Sequence, residues 1–193
     1  IYTSIVAVAD SVQRERPDIA AHAAPDGTVT IVFSDIEDSA VLTERLGDQA
    51  WQELLRKHNA LIRTQLRAHD GYEVKTLGDG FMLAFRSAKK GLDCAIAIQR
   101  AFAGQSAANG ERIRVRIGLH AGEAIKDGAD FYGKNVVLAS RVAAQAKGGE
   151  ILVSSLLRQL IESSTDASIF GEPREVELKG LAGRHVMYAV CWA

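Results

Sequence analysis

The stretch from Tyr72 to Phe85, YEVKTLGDGFMLAF, restricts most strongly what this chain can become. Two apolar and β-branched runs, Tyr72–Thr76 and Phe81–Phe85, flank Leu77-Gly78-Asp79-Gly80, so the segment reads as a β-hairpin. Glycine on both sides of Asp79 supplies backbone angles that other residues resist. The turn therefore holds one carboxylate at its tip, with Lys75 just before it. Taken alone, these are a solvated turn aspartate and an exposed strand lysine.

A second acidic segment changes that reading. Residues 28–34, TVTIVFS, form a strand dense in β-branched side chains, ending in Asp35-Ile36-Glu37-Asp38-Ser39 and followed at once by a helical pattern. Asp35 has two readings here, a helix cap or a metal ligand beside a helix N-terminus that favours phosphate. Further on, residues 48–69 carry an amphipathic stripe through Trp51, Leu54, Leu55, His58, Leu61, Ile62 and Leu66, closed by Asp70-Gly71. Trp51 and His58 are expected in the core or an interface. A helix over 88–107, a strand over 113–120 extended by 121–125, and a helix over 134–146 follow. A short strand over 151–153, a small helix over 156–161 and a closing hairpin from 174–178 and 185–190 complete the chain.

This order predicts an α+β fold: a ferredoxin-like βαββαβ core sheet with helices on one face, plus a C-terminal β-hairpin. Residues 28–193 are expected to be the domain. Residues 1–27 are expected to be an N-terminal arm or linker outside the core, since Arg14-Glu15-Arg16-Pro17 breaks any helix there. In such a sheet the first strand and the hairpin are neighbours, so Asp35 and Asp79 converge. Two carboxylates at a sheet edge repel unless a cation lies between them, and oxygen ligands with spare sites suit Mg²⁺ or Mn²⁺ carrying phosphate.

Composition bounds the rest. Of 193 residues, 47% are hydrophobic and the net charge is −1, which supports a packed core and argues against a chain built mainly for nucleic acid or anionic membrane. Cys94 and Cys191 lie outside any metal-ligand spacing and are expected as buried small hydrophobes, which suits a cytoplasmic compartment. The chain opens on Ile rather than Met, so a longer protein, even one attached to a membrane upstream, is the expected parent.

Four segments now carry a resemblance. Phe33-Ser-Asp-Ile-Glu-Asp-Ser39, Lys75-Thr-Leu-Gly-Asp-Gly80, Arg116-Ile-Gly-Leu-His-Ala-Gly122 and Asp130-Phe-Tyr-Gly133 with Ala139-Ser-Arg141 resemble the catalytic domain of class III nucleotidyl cyclases, bacterial type. The resemblance implies conversion of ATP to 3′,5′-cyclic AMP and pyrophosphate. It also implies two divalent metal ions, Mg²⁺ or Mn²⁺, and a head-to-tail homodimer with both sites at the interface. Carried over by position, Asp35, Asp79 and the Ile36 carbonyl would hold the metals. Lys75 would reach adenine N1 and Asp130 would accept from the N6 amino group, while Ile36 and Ser39 would line the substrate. Arg141 would stabilise charge on the α-phosphate, and Lys179 is either a contact to the outer phosphates or a solvated loop lysine. The sequence departs from the family at Val137, where an Asn usually holds the ribose. Asn135 is near, but about 100° per residue turns it roughly 120° from Arg141. Rival readings are a guanylate cyclase, a diguanylate cyclase lacking its acidic hairpin, and a catalytically weak nucleotide-binding module.

Overall fold

In the computed structural model, which describes residues 3–105, 110, 112–124 and 131–193, seven strands make one sheet. The strands are β1 (Thr28–Ile36), β2 (Tyr72–Leu77), β3 (Gly80–Phe85), β4 (Val115–Glu123), β5 (Ile151–Ser154), β6 (Phe170–Glu177) and β7 (Arg184–Val190). Their order across the sheet is β2-β3-β1-β4-β5-β7-β6. β1 is central and antiparallel to both β3 and β4, and only β4 and β5 run parallel. The expected ferredoxin-like α+β core and closing hairpin are both present.

The helices are α1 (Ser4–Glu15), α2 (Ser39–Leu46), α3 (Asp48–Ala68), α4 (Ala88–Ala103), α5 (Val137–Gln145) and α6 (Ser155–Ile161). They divide between the two faces of the sheet, which corrects the one-face expectation. Strand alternation sorts the side chains. Val32, Phe81, Leu83 and Phe85 meet Ile62 and Leu66 of α3 and Leu92 and Ile98 of α4 on one face. Ile31, Phe33, Met82 and Ala84 meet α1 and α5 on the other.

The largest departure is at the start. Residues 4–15 are a helix packed on the sheet, where an arm outside the core was expected. Thr3 caps it by accepting from the Val6 N–H, and Arg16, at φ 45°, ends it before Pro17. Ile5, Val8, Ala9 and Val12 recur at helical spacing and are 0–3% exposed. Cys191 also departs: it is exposed, while Cys94 is buried.

The hairpin closes through a two-residue turn, with Leu77 opposite Gly80 and Gly78 at φ 61°, the glycine-first pattern of a type II′ turn. Between Glu73 and Lys75 the pairing slips by one residue. Regular alternation would put Glu73 and Lys75 on the same face. With the bulge, Glu73 pairs with Leu83 and reaches Arg63 of α3, while Lys75 pairs with Met82 on the α1 side.

Candidate active site

Asp35 is the penultimate residue of β1, and Asp79 sits in the turn that opens β3, its immediate neighbour. The Ile36 N–H donates to Asp79 Oδ2 at 2.8 Å, so the second carboxylate lies against the peptide that follows the first. Both are buried, at 1% and 3% exposure. Burial pushes the Asp35 carboxyl up, the Arg116 guanidinium pulls it down, and the neighbouring Asp79 charge adds to the rise. The two predicted metal carboxylates are thus together at one end of the sheet.

Sequence reasoning gave Arg116 no role. It faces Asp35 across the β1–β4 pair and binds it with two parallel bonds, Nε to Oδ1 at 2.8 Å and a terminal nitrogen to Oδ2 at 2.7 Å. Its position in the Arg116–Gly122 motif was the available signal; the missing step was the strand register that sets it opposite Asp35.

Beyond this end, a cleft of about 230 Å³ runs between β1, α2 and the segment before β4, lined in part by Ile36, Glu37, Arg45, Arg112 and Arg114. Ser39, the first residue of α2, lies beside it and is half-buried. An edge with two carboxylates and a neighbouring set of three arginines has the charge distribution of a polyphosphate–cation site. Among the described residues no three His, Cys, Asp or Glu side chains converge. A divalent ion here would take the two carboxylates and the Ile36 carbonyl, and complete its shell with water and phosphate oxygens. Oxygen-only donors of this kind fit Mg²⁺ or Mn²⁺.

The remaining predicted residues lie elsewhere. Lys75 is one-quarter exposed and paired at 2.8 Å with Glu15 of α1. Arg141 Nε donates to the Lys179 carbonyl at 3.1 Å. That carbonyl belongs to the β6–β7 connection. Because β5 runs parallel to β4 and β7 runs against β5, this connection lies at the end of the sheet opposite Asp35 and Asp79. Asp130 lies outside the described residues.

Asn135 sits in a π-helical turn, Tyr132–Val136, immediately before α5. Its Oδ1 meets His120 Nε2 at 3.1 Å, and its side chain fills the space beside Gly122. A wider turn at the helix start turns this residue toward β4. Val137, in the place where the cyclase family usually carries Asn, is the first residue of α5.

An α+β sheet that gathers two buried carboxylates at one end of adjacent central strands, beside a strand-to-helix turn and an arginine-lined cleft, has the make-up of a domain that handles a nucleotide's phosphates with divalent cations. The chain belongs to the adenylate and guanylate cyclase catalytic domain family, whose profile matches residues 21–191. An adenylate cyclase of Schizosaccharomyces pombe is 33% identical over 186 residues, covering 81% of this chain and 11% of that protein. One from Podospora anserina is 34% identical over 157 residues, covering 68% of this chain and 7% of that protein. The chain therefore spans only about a tenth of the length of these curated relatives. A Trypanosoma brucei adenylate cyclase, solved in its monomeric state, superposes with a TM-score of 0.73 at 23% identity, covering 91% of this chain and 94% of that one.

Proposed function

We propose that this domain is an adenylate cyclase that forms 3′,5′-cyclic AMP and pyrophosphate from ATP at composite sites of a head-to-tail homodimer. The observation that carries the reading is the separation within one chain: the acidic pair gathers at one end of the sheet, and Arg141 is tied to the opposite end. Two copies related head to tail would set the acidic end of each against the Arg141 end of the other. Relatives that bear the name adenylate cyclase support the nucleotide choice.

In the reaction, the ribose 3′-oxygen bonds to the α-phosphorus, the bond from that phosphorus to pyrophosphate breaks, and the 3′ proton leaves to solvent. Divalent cations, when bound, would lower the pKa of the 3′-hydroxyl and neutralise phosphate charge. Asp35, Asp79 and the Ile36 carbonyl would hold them. Ser39, at the start of α2, would line the phosphates, and Arg141 would meet charge building on the α-phosphate. Lys75 would donate to adenine N1 and Asp130 would accept from the N6 amino group. Guanine presents a carbonyl and an N–H at these places, leaving both protein groups mispaired.

Cyclic AMP and cyclic GMP formation should be assayed with Mn²⁺ and each triphosphate across a dilution series. Cyclic AMP from ATP, falling faster than linearly on dilution, is expected. Cyclic GMP as the main product, or full specific activity in a demonstrably monomeric sample, would refute the base choice or the shared site respectively. A second reading, a weakly active nucleotide-binding module, is favoured by one observation. Asn135 is engaged with His120 and Val137 stands at the ribose position, so ribose lacks its usual amide. Nucleotide binding without turnover would support it.

A further inference from the structure

Helix α1 lies on the site. Its first turn faces the two carboxylates: Ser4 Oγ donates to Asp79 Oδ1 at 2.5 Å, and the Ile5 backbone N–H favours the ionised form of Asp35. Its backbone also closes over the hairpin. A Cβ placed on Gly80 would come within 2.8 Å of the Ser4 carbonyl oxygen. At the other end of the helix, Lys75 Nζ donates to both Glu15 carboxylate oxygens at 2.8 Å, and Ser11 Oγ steadies the same carboxylate at 3.0 Å. Twelve helical residues span about 18 Å, enough to bridge the two groups. Between them Ile5, Val8, Ala9 and Val12 are packed against Phe33, Met82, Ala84 and α5.

The chemistry at each end is complementary. A helix N-terminus with a hydroxyl and an amide offers partial positive charge to Asp79, and adds to the Arg116 guanidinium at Asp35. A carboxylate offers Lys75 an acceptor in place of a purine nitrogen. We propose that α1 is an autoinhibitory plug, standing in for the metal ions at Asp35 and Asp79 and for the base at Lys75, so that the site opens only when α1 leaves. This rests on the roles given to those three residues above. In the composite dimer, Lys75 of one chain would serve the partner's acidic pair, so one plug masks half of each site.

The test uses the full chain. The Ser4→Ala/Glu15→Gln double variant removes the Ser4 hydroxyl and the Glu15 charge and leaves the helix main chain and the apolar packing alone. Val8→Asp puts a charge into that packing. Mn²⁺ binding without nucleotide is measured by electron paramagnetic resonance, and cyclic AMP formation is measured alongside it. The double variant should bind Mn²⁺ about five-fold more tightly, as expected for a half-exposed ion pair plus one buried hydrogen bond. Val8→Asp should bind it more tightly still, and turnover should rise in parallel. The double variant decides the matter if Val8→Asp does not fold. Tighter Mn²⁺ binding with no cyclic nucleotide from any form upholds the plug and refutes the cyclase reading. Unchanged Mn²⁺ affinity in the double variant overturns the plug.

Discussion

Replacing His120 by glutamine should flatten the acid sensitivity of the fold. His120 is 3% exposed, with Nδ1 2.8 Å from Ser154 Oγ and Nε2 3.1 Å from Asn135 Oδ1. The amide oxygen only accepts, so Nε2 carries the proton and Nδ1 accepts from the serine hydroxyl. Protonating Nδ1 would break that arrangement inside the core, and burial pulls the imidazole down from 6.5 to about 4. The folded state therefore resists a proton that the unfolded chain accepts below pH 6.5. Stability held above that pH is lost as pH falls toward 4. With these two values, linkage gives a loss of about 1.8 kcal/mol between pH 7 and pH 5 from this residue alone. Urea unfolding of wild type and His120→Gln at pH 7, 6 and 5 isolates it, because carboxylates and His58 contribute equally to both proteins. At a slope of about 2 kcal/mol/M the wild-type midpoint should fall by roughly 1 M more than that of the variant. Parallel pH profiles for the two proteins would refute the reasoning.

Three further outcomes are expected. Arg116→Ala leaves Asp35 buried without its cation and should cost about 3–5 kcal/mol at pH 7; since the unpaired carboxyl is then raised further, the deficit should shrink toward pH 5, and a deficit constant with pH would count against it. Gly118→Ala sets a methyl into the Ala143 backbone and should force α5 off β4, costing roughly 1–3 kcal/mol and several degrees of Tm, read by calorimetry. Cys191 should react with a thiol reagent in the native protein while Cys94, buried and with its thiol pushed up to about 12, reacts only on unfolding; equal native rates would contradict the packing.

The hairpin, the strand order and the meeting of Asp35 with Asp79 were legible because each rests on local rules: turn chemistry at Gly78-Asp79-Gly80, β-branched runs, and the adjacency that a βαββαβ order imposes. Three features were not. The Arg116–Asp35 pair depends on the exact register of β1 against β4, which alternation alone leaves open. The burial of α1 depends on an apolar sheet face needing a cover, and a short run such as Ile5–Val12 does not announce its partner. Regular helix geometry turned Asn135 away from Arg141; the π turn that brings it to His120 has no clear sequence mark.

The slip between Glu73 and Lys75 decides which partner each of the two charges meets. Counted back from the tip at Asp79 the pairing is regular as far as Lys75, so the face that lysine takes is fixed by parity. One supernumerary position, Val74, breaks that parity beyond Lys75, so Glu73 and Lys75 leave the strand on opposite faces. Were the ladder to run on past Lys75 with no slip, Glu73 would fall on the α1 side beside that lysine and lose Arg63, whereas excising Val74 would leave both pairings as they are. A single unpaired residue thus lets neighbouring opposite charges serve two different helices, α3 and α1.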